Sequence, residues 1–195
     1  MRNFEIPGRS AAYGANGMAA TSHPRATLAA IDMLRSGGNA VDAAIAAIAV
    51  HSVVEPHMTG IGGDCFVIFA PAGGNVVCYN GSGRACAGAN TEWYLDNGIK
   101  EIVSDSPHAV TIPGAVDAWY QMHKKYGKLE FEKLFATAIY YAREGFPVHE
   151  IEAFHWKKNE DKLRKNNIAK QIFLKNNQAP NFGKKFTNIQ LADTL

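Results

Sequence analysis

The chain has 195 residues, of which 47% are hydrophobic, and a formal net charge of +2, which fits one domain of ordinary size. Residues 1–120 carry six Lys or Arg against ten Asp or Glu, whereas residues 121–195 carry fourteen against eight. The basic half has a mild Lys/Asn bias and no interleaved aromatic residues, which is typical of a solvated surface rather than a nucleic-acid-binding face. We therefore expect no nucleic-acid partner.

The three cysteines, Cys65, Cys78 and Cys86, are odd in number, and their spacing matches no zinc motif. They predict buried free thiols in a reducing compartment, with neither a metal nor a cofactor. Residues 1–7 lack the apolar core of a signal peptide. The alanine-rich run that begins at residue 40 is shorter than the roughly 20 residues of a membrane span. We expect a cytoplasmic protein with no membrane partner.

The first third of the chain predicts a short strand and then a helix. The strand is expected at Met18–Thr21. The helix opens at Ser22-His23-Pro24, where proline suits the first turn, and it ends at Gly37-Gly38.

A second helix, rich in alanine, is predicted to follow almost at once. Asn39 can cap it, and Asp42, three residues later, completes a capping box with a shorter carboxylate. The helix is expected to end before Pro56. Because alanine lets neighbouring backbones approach closely, this helix is expected between layers rather than on a surface.

The middle of the chain predicts a β-hairpin. The run Cys65–Ala70 is continuously apolar with branched and aromatic residues, which predicts a strand covered on both faces. A glycine-containing turn separates it from a second strand at Val76–Tyr79.

The remainder of the chain is predicted to be mostly helical. The pattern indicates a short helix capped by Asn90 and ended by Asn97-Gly98, an extended segment at His108–Ile112, a helix from Ala115 to about Lys125, a long helix over Glu130–Glu144, polar helical chain beyond Pro147, and a helix that begins near Ile189.

Two possible sites near the hairpin have simpler explanations. Gly60-Ile61-Gly62-Gly63 lies between a helix and a strand, the reverse of the order in a dinucleotide fingerprint, so we expect these glycines to pack layers together. Cys65 and His57 could form a thiol nucleophile and its base, but a small buried residue is the expected occupant at the head of an apolar strand.

Arg84 is the more informative candidate. It is the only Arg or Lys between Arg35 and Lys100, and it follows the second strand among glycines. An arginine fork suits a carboxylate because it forms paired, charge-assisted hydrogen bonds. On these features alone, a surface arginine after a hairpin is an equal alternative.

Taken together, the motifs resemble those of the gamma-glutamyltransferase family. The residues that carry the resemblance are in order along the chain: Gly37-Gly38-Asn39-Ala40-Val41-Asp42-Ala43-Ala44, Gly60-Ile61-Gly62-Gly63-Asp64-Cys65-Phe66, Gly83-Arg84-Ala85, Pro113-Gly114-Ala115-Val116, Ala142-Arg143-Glu144-Gly145-Phe146 and Leu191-Ala192-Asp193-Thr194-Leu195.

The resemblance implies the α+β class, with the four-layer α-β-β-α sandwich of the N-terminal nucleophile hydrolases only partly present. Family members are precursors that cut themselves into a large and a small subunit, and the new N-terminal threonine of the small subunit is the nucleophile. Residues 1–195 would then be a single incomplete domain, the N-terminal portion of the large subunit. We expect no catalytic residue in this chain, no activity of the fragment alone, and the rest of the precursor as its partner.

The resemblance also bears on the substrate. Glutathione-cleaving members hold the α-carboxylate of the γ-glutamyl group with an arginine that shortly precedes Ala-Pro. Aligning Ala-Pro with Ala85-Cys86 places Ser82 at that position and Arg84 two residues later, about 7 Å along an extended chain. We therefore expect Arg84 and Ser82 to bind substrate.

Three functions remain open at this point. The first is a hydrolase or acyltransferase acting on γ-glutamyl compounds such as glutathione. The second is a related amidase that acts on oxamate or another acyl amide. The third is a non-catalytic fragment that serves as a partner subunit.

Overall fold

The structure is a computed structural model that describes residues 11–195. Among these residues the helices are α1 (Pro24–Arg35), α2 (Ala40–Val54), α3 (Thr91–Asp96), α4 (Ala115–Tyr126), α5 (Ala136–Glu144), α6 (Glu150–Lys158), α7 (Glu160–Arg164), α8 (Asn167–Phe173) and α9 (Ile189–Thr194). The strands are β1 (Phe66–Phe69), β2 (Val77–Asn80), β3 (Phe146–Pro147) and β4 (Lys185–Phe186). The chain is thus α+β, as predicted.

The alanine-rich helix α2 forms the centre of the core. Twelve of its 15 residues are buried. It packs against α1, α4 and α5, and Ala26 and Ala29 of α1 are completely buried. Small side chains on both helices allow this close packing, so the predicted interior position of the helix is confirmed.

Asp42 ties the start of α2 to the end of α4. Asn39 Oδ1 accepts the main-chain N–H groups of Val41 and Asp42, and Asp42 Oδ2 accepts that of Asn39 at 2.8 Å, so the predicted capping box is present. The buried Asp42 carboxylate also accepts the N–H of Lys128 at 3.1 Å. Asp42 therefore completes the cap of α2 and also contacts Lys128, which is distant in the sequence.

β1 and β2 form the predicted antiparallel hairpin, with Phe66 opposite Asn80 and Phe69 opposite Val77. The expectation that both faces are covered was wrong for this chain. One face packs on the helical core, but Phe66 is 67% exposed and Ile68 is 81% exposed on the other. The reason is that helices of the described chain cover only one side of the hairpin.

The structure corrects three further local predictions. Met18–Thr21 is irregular chain rather than a strand. Segment His108–Ile112 is not extended throughout, because Pro107–Ala109 forms a 3₁₀ turn. The long helix predicted over Glu130–Glu144 is divided into a 3₁₀ helix, Phe131–Phe135, and α5. A similar apolar periodicity accommodates both kinds of helix, so the pattern did not reveal the change.

An aromatic cluster joins the C-terminal elements. β3 and β4 pair antiparallel, with Phe146 opposite Phe186. The Phe186 ring lies edge-on to Trp156 of α6, with centroids 4.6 Å apart. Gly145 precedes β3 and has a φ of 87°, and a Cβ added to Gly145 would lie 2.7 Å from the Phe186 carbonyl oxygen. Within residues 11–195, no helix combines the length and apolarity needed to cross a membrane.

Candidate functional site

The loop after β2 borders a cavity of about 530 Å³, and both predicted site residues line this cavity. Ser82 and Arg84 line one side, and the opposite side is formed by Ile112, Pro113 and the first turn of α4. Arg84 is exposed, and Ser82 is partly buried. The structure therefore brings the two sequence-predicted residues to one site, whereas their role in binding stays a prediction.

Main-chain hydrogen bonds fix this loop in place. Gly81 exchanges both main-chain hydrogen bonds with Cys65, which extends the hairpin by one residue pair. The Arg84 carbonyl then accepts the N–H of Ile112 at 2.9 Å. The Ser82 carbonyl accepts the Thr111 hydroxyl at 3.1 Å, and the Ser82 N–H donates to Asn80 Oδ1. The Arg84 side chain thus projects from an anchored backbone.

Gly83 departs from the extended path assumed in the sequence alignment. Its φ is +76°, a region that favours glycine, and an added Cβ would lie 1.8 Å from the Ile112 carbonyl oxygen. The offset of about 7 Å between Ser82 and Arg84 assumed extended chain, and the positive φ of Gly83 departs from that path. The turn at Gly83 allows both side chains to line the same cavity.

The Arg84 guanidinium is available to an acidic ligand. Within the described part of the chain, no Asp or Glu oxygen lies within 4.0 Å of it. The other charged residue on the cavity wall is Asp117, in the first turn of α4. Sequence reasoning missed Asp117 because the residues between it and Arg84 gave no sign that the two segments are adjacent.

Gly63 anchors the side of this cavity that is formed by the start of α4. The Gly63 carbonyl oxygen accepts the N–H groups of Gly114 and Ala115, both at 3.0 Å, which fixes the start of α4. An added Cβ on Gly60 or Gly62 would meet no atom within 4 Å. Close packing was expected of these glycines, but within residues 11–195 an added Cβ on Gly63 would also meet no atom closer than 3.9 Å, and Gly63 contributes through its carbonyl oxygen instead.

Cys65 has the properties of a structural thiol. Burial raises the pKa of the Cys65 thiol, the Trp119 side chain opposes this rise, and the Asp64 carboxylate adds to it. A raised pKa keeps the thiol protonated and therefore weakly nucleophilic. Cys78 and Cys86 are exposed, contrary to the expectation that all three cysteines are buried.

A buried polar cluster that the sequence spacing did not reveal lies between α1 and α6. Ligand atoms of His23, His149 and Glu152 lie within 4.8 Å of one another. However, His23 Nδ1 accepts the N–H of Arg25, so its proton is on Nε2, and Arg25 Nη1 lies 2.7 Å from His149 Nε2. One nitrogen of each ring is thus engaged by Arg25, whereas His23 Nε2 and Glu152 Oε2 are buried and have no hydrogen-bond partner within residues 11–195.

Glu55 extends this polar network to the end of α2. Its Oε2 accepts the Ser22 hydroxyl at 2.6 Å and pairs with His51 Nδ1. Glu55 is only 4% exposed. The carboxylate therefore links the entry of α1 to the last turn of α2, which gives it a structural role.

The chain, including the Arg84 loop, is similar to known proteins. A family model described as gamma-glutamyltranspeptidase matches residues 26–195. The chain is 38% identical over 184 residues to the glutathione hydrolase-like YwrD proenzyme of Bacillus subtilis, with 93% of this chain and 35% of that protein covered. It is 34% identical over 186 residues to the oxamate amidohydrolase proenzyme of Klebsiella pneumoniae, with 92% and 35% covered.

Solved structures share the fold of the chain. Cephalosporin acylase from Bacillus halodurans superposes with a TM-score of 0.90 and 36% identity, over 98% of this chain and 37% of that one. The gamma-glutamyltranspeptidase of Helicobacter pylori superposes with a TM-score of 0.89 and 29% identity, over 95% of this chain and 54% of that one. These matches confirm the predicted, partly present N-terminal nucleophile hydrolase fold.

The chain spans about 35% of the length of these two curated relatives, both of which are named as proenzymes. The match includes α1 from its third residue onward and all the elements that follow. Because the family model matches most of the chain, the chain belongs to the gamma-glutamyltranspeptidase family.

Proposed function

We propose that the complete protein is a self-processing amidohydrolase or acyltransferase, and that residues 1–195 are the N-terminal portion of its large subunit, a single incomplete domain. The rest of the large subunit and the small subunit are its partners. The proposal is supported by family membership over residues 26–195 and by the proenzyme names of the relatives.

The chemistry proposed for the complete protein is acyl transfer through an ester. An N-terminal threonine outside this chain supplies its hydroxyl oxygen as nucleophile, and its free α-amine accepts the hydroxyl proton. The oxygen bonds to the acyl carbon, and the amide C–N bond breaks as the proton passes to the leaving amine. Water or a second amine then attacks the ester and releases the threonine.

One observation supports a role for residues of this chain: the Arg84 guanidinium lies on an anchored loop beside a cavity, and no carboxylate of residues 11–195 pairs with it. In this role the guanidinium binds the carboxylate of the acyl donor through paired hydrogen bonds. Ser82 lines the same cavity and adds a hydroxyl donor. The two residues orient the substrate, while bond making and breaking take place on groups outside this chain.

Two donor classes are compatible with a carboxylate site. One is a γ-glutamyl compound such as glutathione, in keeping with the name of the Bacillus relative. The other is oxamate, in keeping with the name of the Klebsiella relative. Both donors carry the carboxylate that Arg84 is proposed to bind. Both are also amides, so the proposed acyl transfer is the same for either.

The test is a kinetic comparison on the complete, processed protein with γ-glutamyl-p-nitroanilide and oxamate as donors. Loss of a charge-assisted pair predicts that R84A raises KM by about 10- to 100-fold for the donor that is used. R84K keeps the charge but not the planar fork, so an intermediate KM is expected. The control R35A alters an exposed arginine at the end of α1 and leaves KM unchanged. An unchanged KM in R84A removes Arg84 from the site.

A further inference from the structure

The buried junction between α1 and α6 holds two polar atoms that lack a partner. His23 is 1% exposed and Glu152 is 3% exposed. Within residues 11–195, His23 Nε2 and Glu152 Oε2 accept or donate no hydrogen bond, although His23 Nε2 lies only 3.9 Å from Glu152 Oε1. A buried carboxylate oxygen without a partner is costly, so a further group is expected to bind between these two side chains.

The starts of two helices bring a third donor to the same place. His23 is the N-cap residue of α1, His149 is that of α6, and Glu152 lies in the first turn of α6. One ligand atom from each of the three residues lies within 4.8 Å of the other two. In a tetrahedral zinc site with bonds of about 2.0–2.1 Å, the donor atoms are about 3.3 Å apart, so shifts of the order of 1 Å close the set.

We propose that His23, His149 and Glu152 bind one Zn²⁺ ion, with a water molecule as the fourth ligand. Two imidazole nitrogens and one carboxylate oxygen are a donor set that Zn²⁺ accepts. The ion satisfies both unpartnered atoms and joins α1 to α6, a structural role that goes beyond the proposed acyl transfer. The sequence-based expectation of no metal considered spacing along the chain, which does not show that His23 and His149 meet.

Arg25 competes directly with this ion. A guanidinium can only donate, so His149 Nε2 accepts from Arg25 Nη1, at 2.7 Å. Whichever His149 nitrogen binds the ion, Nε2 loses its free lone pair, because it then either holds the ion or carries the ring proton. The same holds for His23 Nδ1, which accepts the main-chain N–H of Arg25 at 3.1 Å. Zinc binding therefore requires both hydrogen bonds of Arg25 to break.

These competing contacts are weak compared with the bonds to zinc. Loss of a helix-cap bond changes an equilibrium constant by roughly 5- to 10-fold, whereas structural zinc sites reach association constants of about 10⁷ M⁻¹ and above. The Arg25 guanidinium also lies 5.5 Å from the centre of the Tyr141 ring, which remains as a partner when it leaves His149. The two imidazole rings, stacked at an interplanar angle of 22°, must tilt so that their lone pairs converge.

The experiment is a calorimetric titration of the metal-stripped complete protein with Zn²⁺. We expect one Zn²⁺ per chain at this site, with a Kd of about 1 µM or lower. E152Q, which is nearly isosteric, and H149N should each weaken binding by at least about 100-fold, because even residues that only support a ligand account for 10- to 100-fold. The control H108N alters a partly exposed histidine outside the cluster and leaves the Kd unchanged.

R25M provides a test with the opposite sign. It removes the competing donor and the positive charge, so we expect Zn²⁺ to bind about 10-fold more tightly. Because Arg25 is partly exposed, this variant is informative even where E152Q or H149N fails to fold. All titrations are repeated with C78S and C86S introduced, since these two exposed thiols could bind zinc by themselves.

Three results would overturn the inference. A wild-type protein that binds no Zn²⁺ more tightly than about 100 µM indicates that water bridges His23 and Glu152 instead. Binding that folded E152Q and H149N leave unchanged places the ion elsewhere. An unchanged Kd in R25M shows that the ion does not displace Arg25. None of these results depends on hydrolysis of an acyl donor, so failure here is distinguishable from failure of the proposed function.

Discussion

At the scale of single residues, His23 shows how a side chain acquires two roles from distant partners. Its Nδ1 caps α1, which the preceding Ser-His-Pro sequence could suggest. Its ring also stacks on His149 at a centroid distance of 4.5 Å, and its Nε2 lies 3.9 Å from Glu152 Oε1. Neither contact could be predicted, because spacing along the chain carries no information about residues that meet through tertiary packing.

The environment of His23 predicts a loss of stability in acid. Burial first, and then the charge of His149, lower the pKa of His23 to about 4 in the folded state. The unfolded chain takes up this proton near pH 6.5, so the free energy of unfolding falls as the pH drops from about 6.5 towards 4. Each pKa unit corresponds to about 1.4 kcal/mol.

The measurement is urea unfolding of the complete protein at several pH values, with H23N as the variant. Asparagine keeps a capping acceptor but does not titrate, so its unfolding free energy should fall less over this pH window. H108N is the matched control at a partly exposed histidine that caps no helix. Identical pH profiles for H23N and the wild type would contradict the explanation.

At the scale of elements, the sequence was sufficient to predict a helix or strand whose limits depend on residues close by in the chain. The capping box at Asn39 and Asp42 fixed the start of α2, and the β1–β2 hairpin followed from two apolar runs and a turn. Exposure was not predictable in the same way. The apolar composition of the β1 run predicted that Phe66 and Ile68 are buried. Both are exposed, because burial depends on which other layers cover the strand.

The loop between β2 and α3 owes its shape to Gly83, which permits a specific prediction. G83A places a Cβ against the Ile112 carbonyl oxygen at 1.8 Å, in addition to the strain of a positive φ. Gly73 also has a positive φ of 70°, but an added Cβ there would meet nothing within 4 Å. G73A therefore reports the conformational cost alone, about 1 kcal/mol.

We expect G83A to lower the free energy of unfolding of the complete protein by at least about 2 kcal/mol more than G73A. It should also raise KM for the acyl donor, since the Arg84 backbone must move. Chemical unfolding and steady-state kinetics on the two variants provide the comparison. Equal stability losses with unchanged KM would show that the Gly83 turn does not position Arg84.

At the scale of the whole molecule, the motifs in order along the chain predicted the family, and the matched length explains why the site is only partly built here. Arg84, Ser82 and Asp117 line one cavity of the described chain. The chain covers about 35% of its curated relatives, and we place the nucleophile in the part that it does not cover. Sequence patterns could predict membership and the Arg84 loop, but not which residues of α4 face that loop.

The most direct test of the central claim is the intact mass of the purified complete protein, read together with the N-terminal sequence of each chain. The account predicts two chains, of which the second begins with threonine and the first contains residues 1–195. A single uncut chain that still releases p-nitroaniline from γ-glutamyl-p-nitroanilide would contradict it.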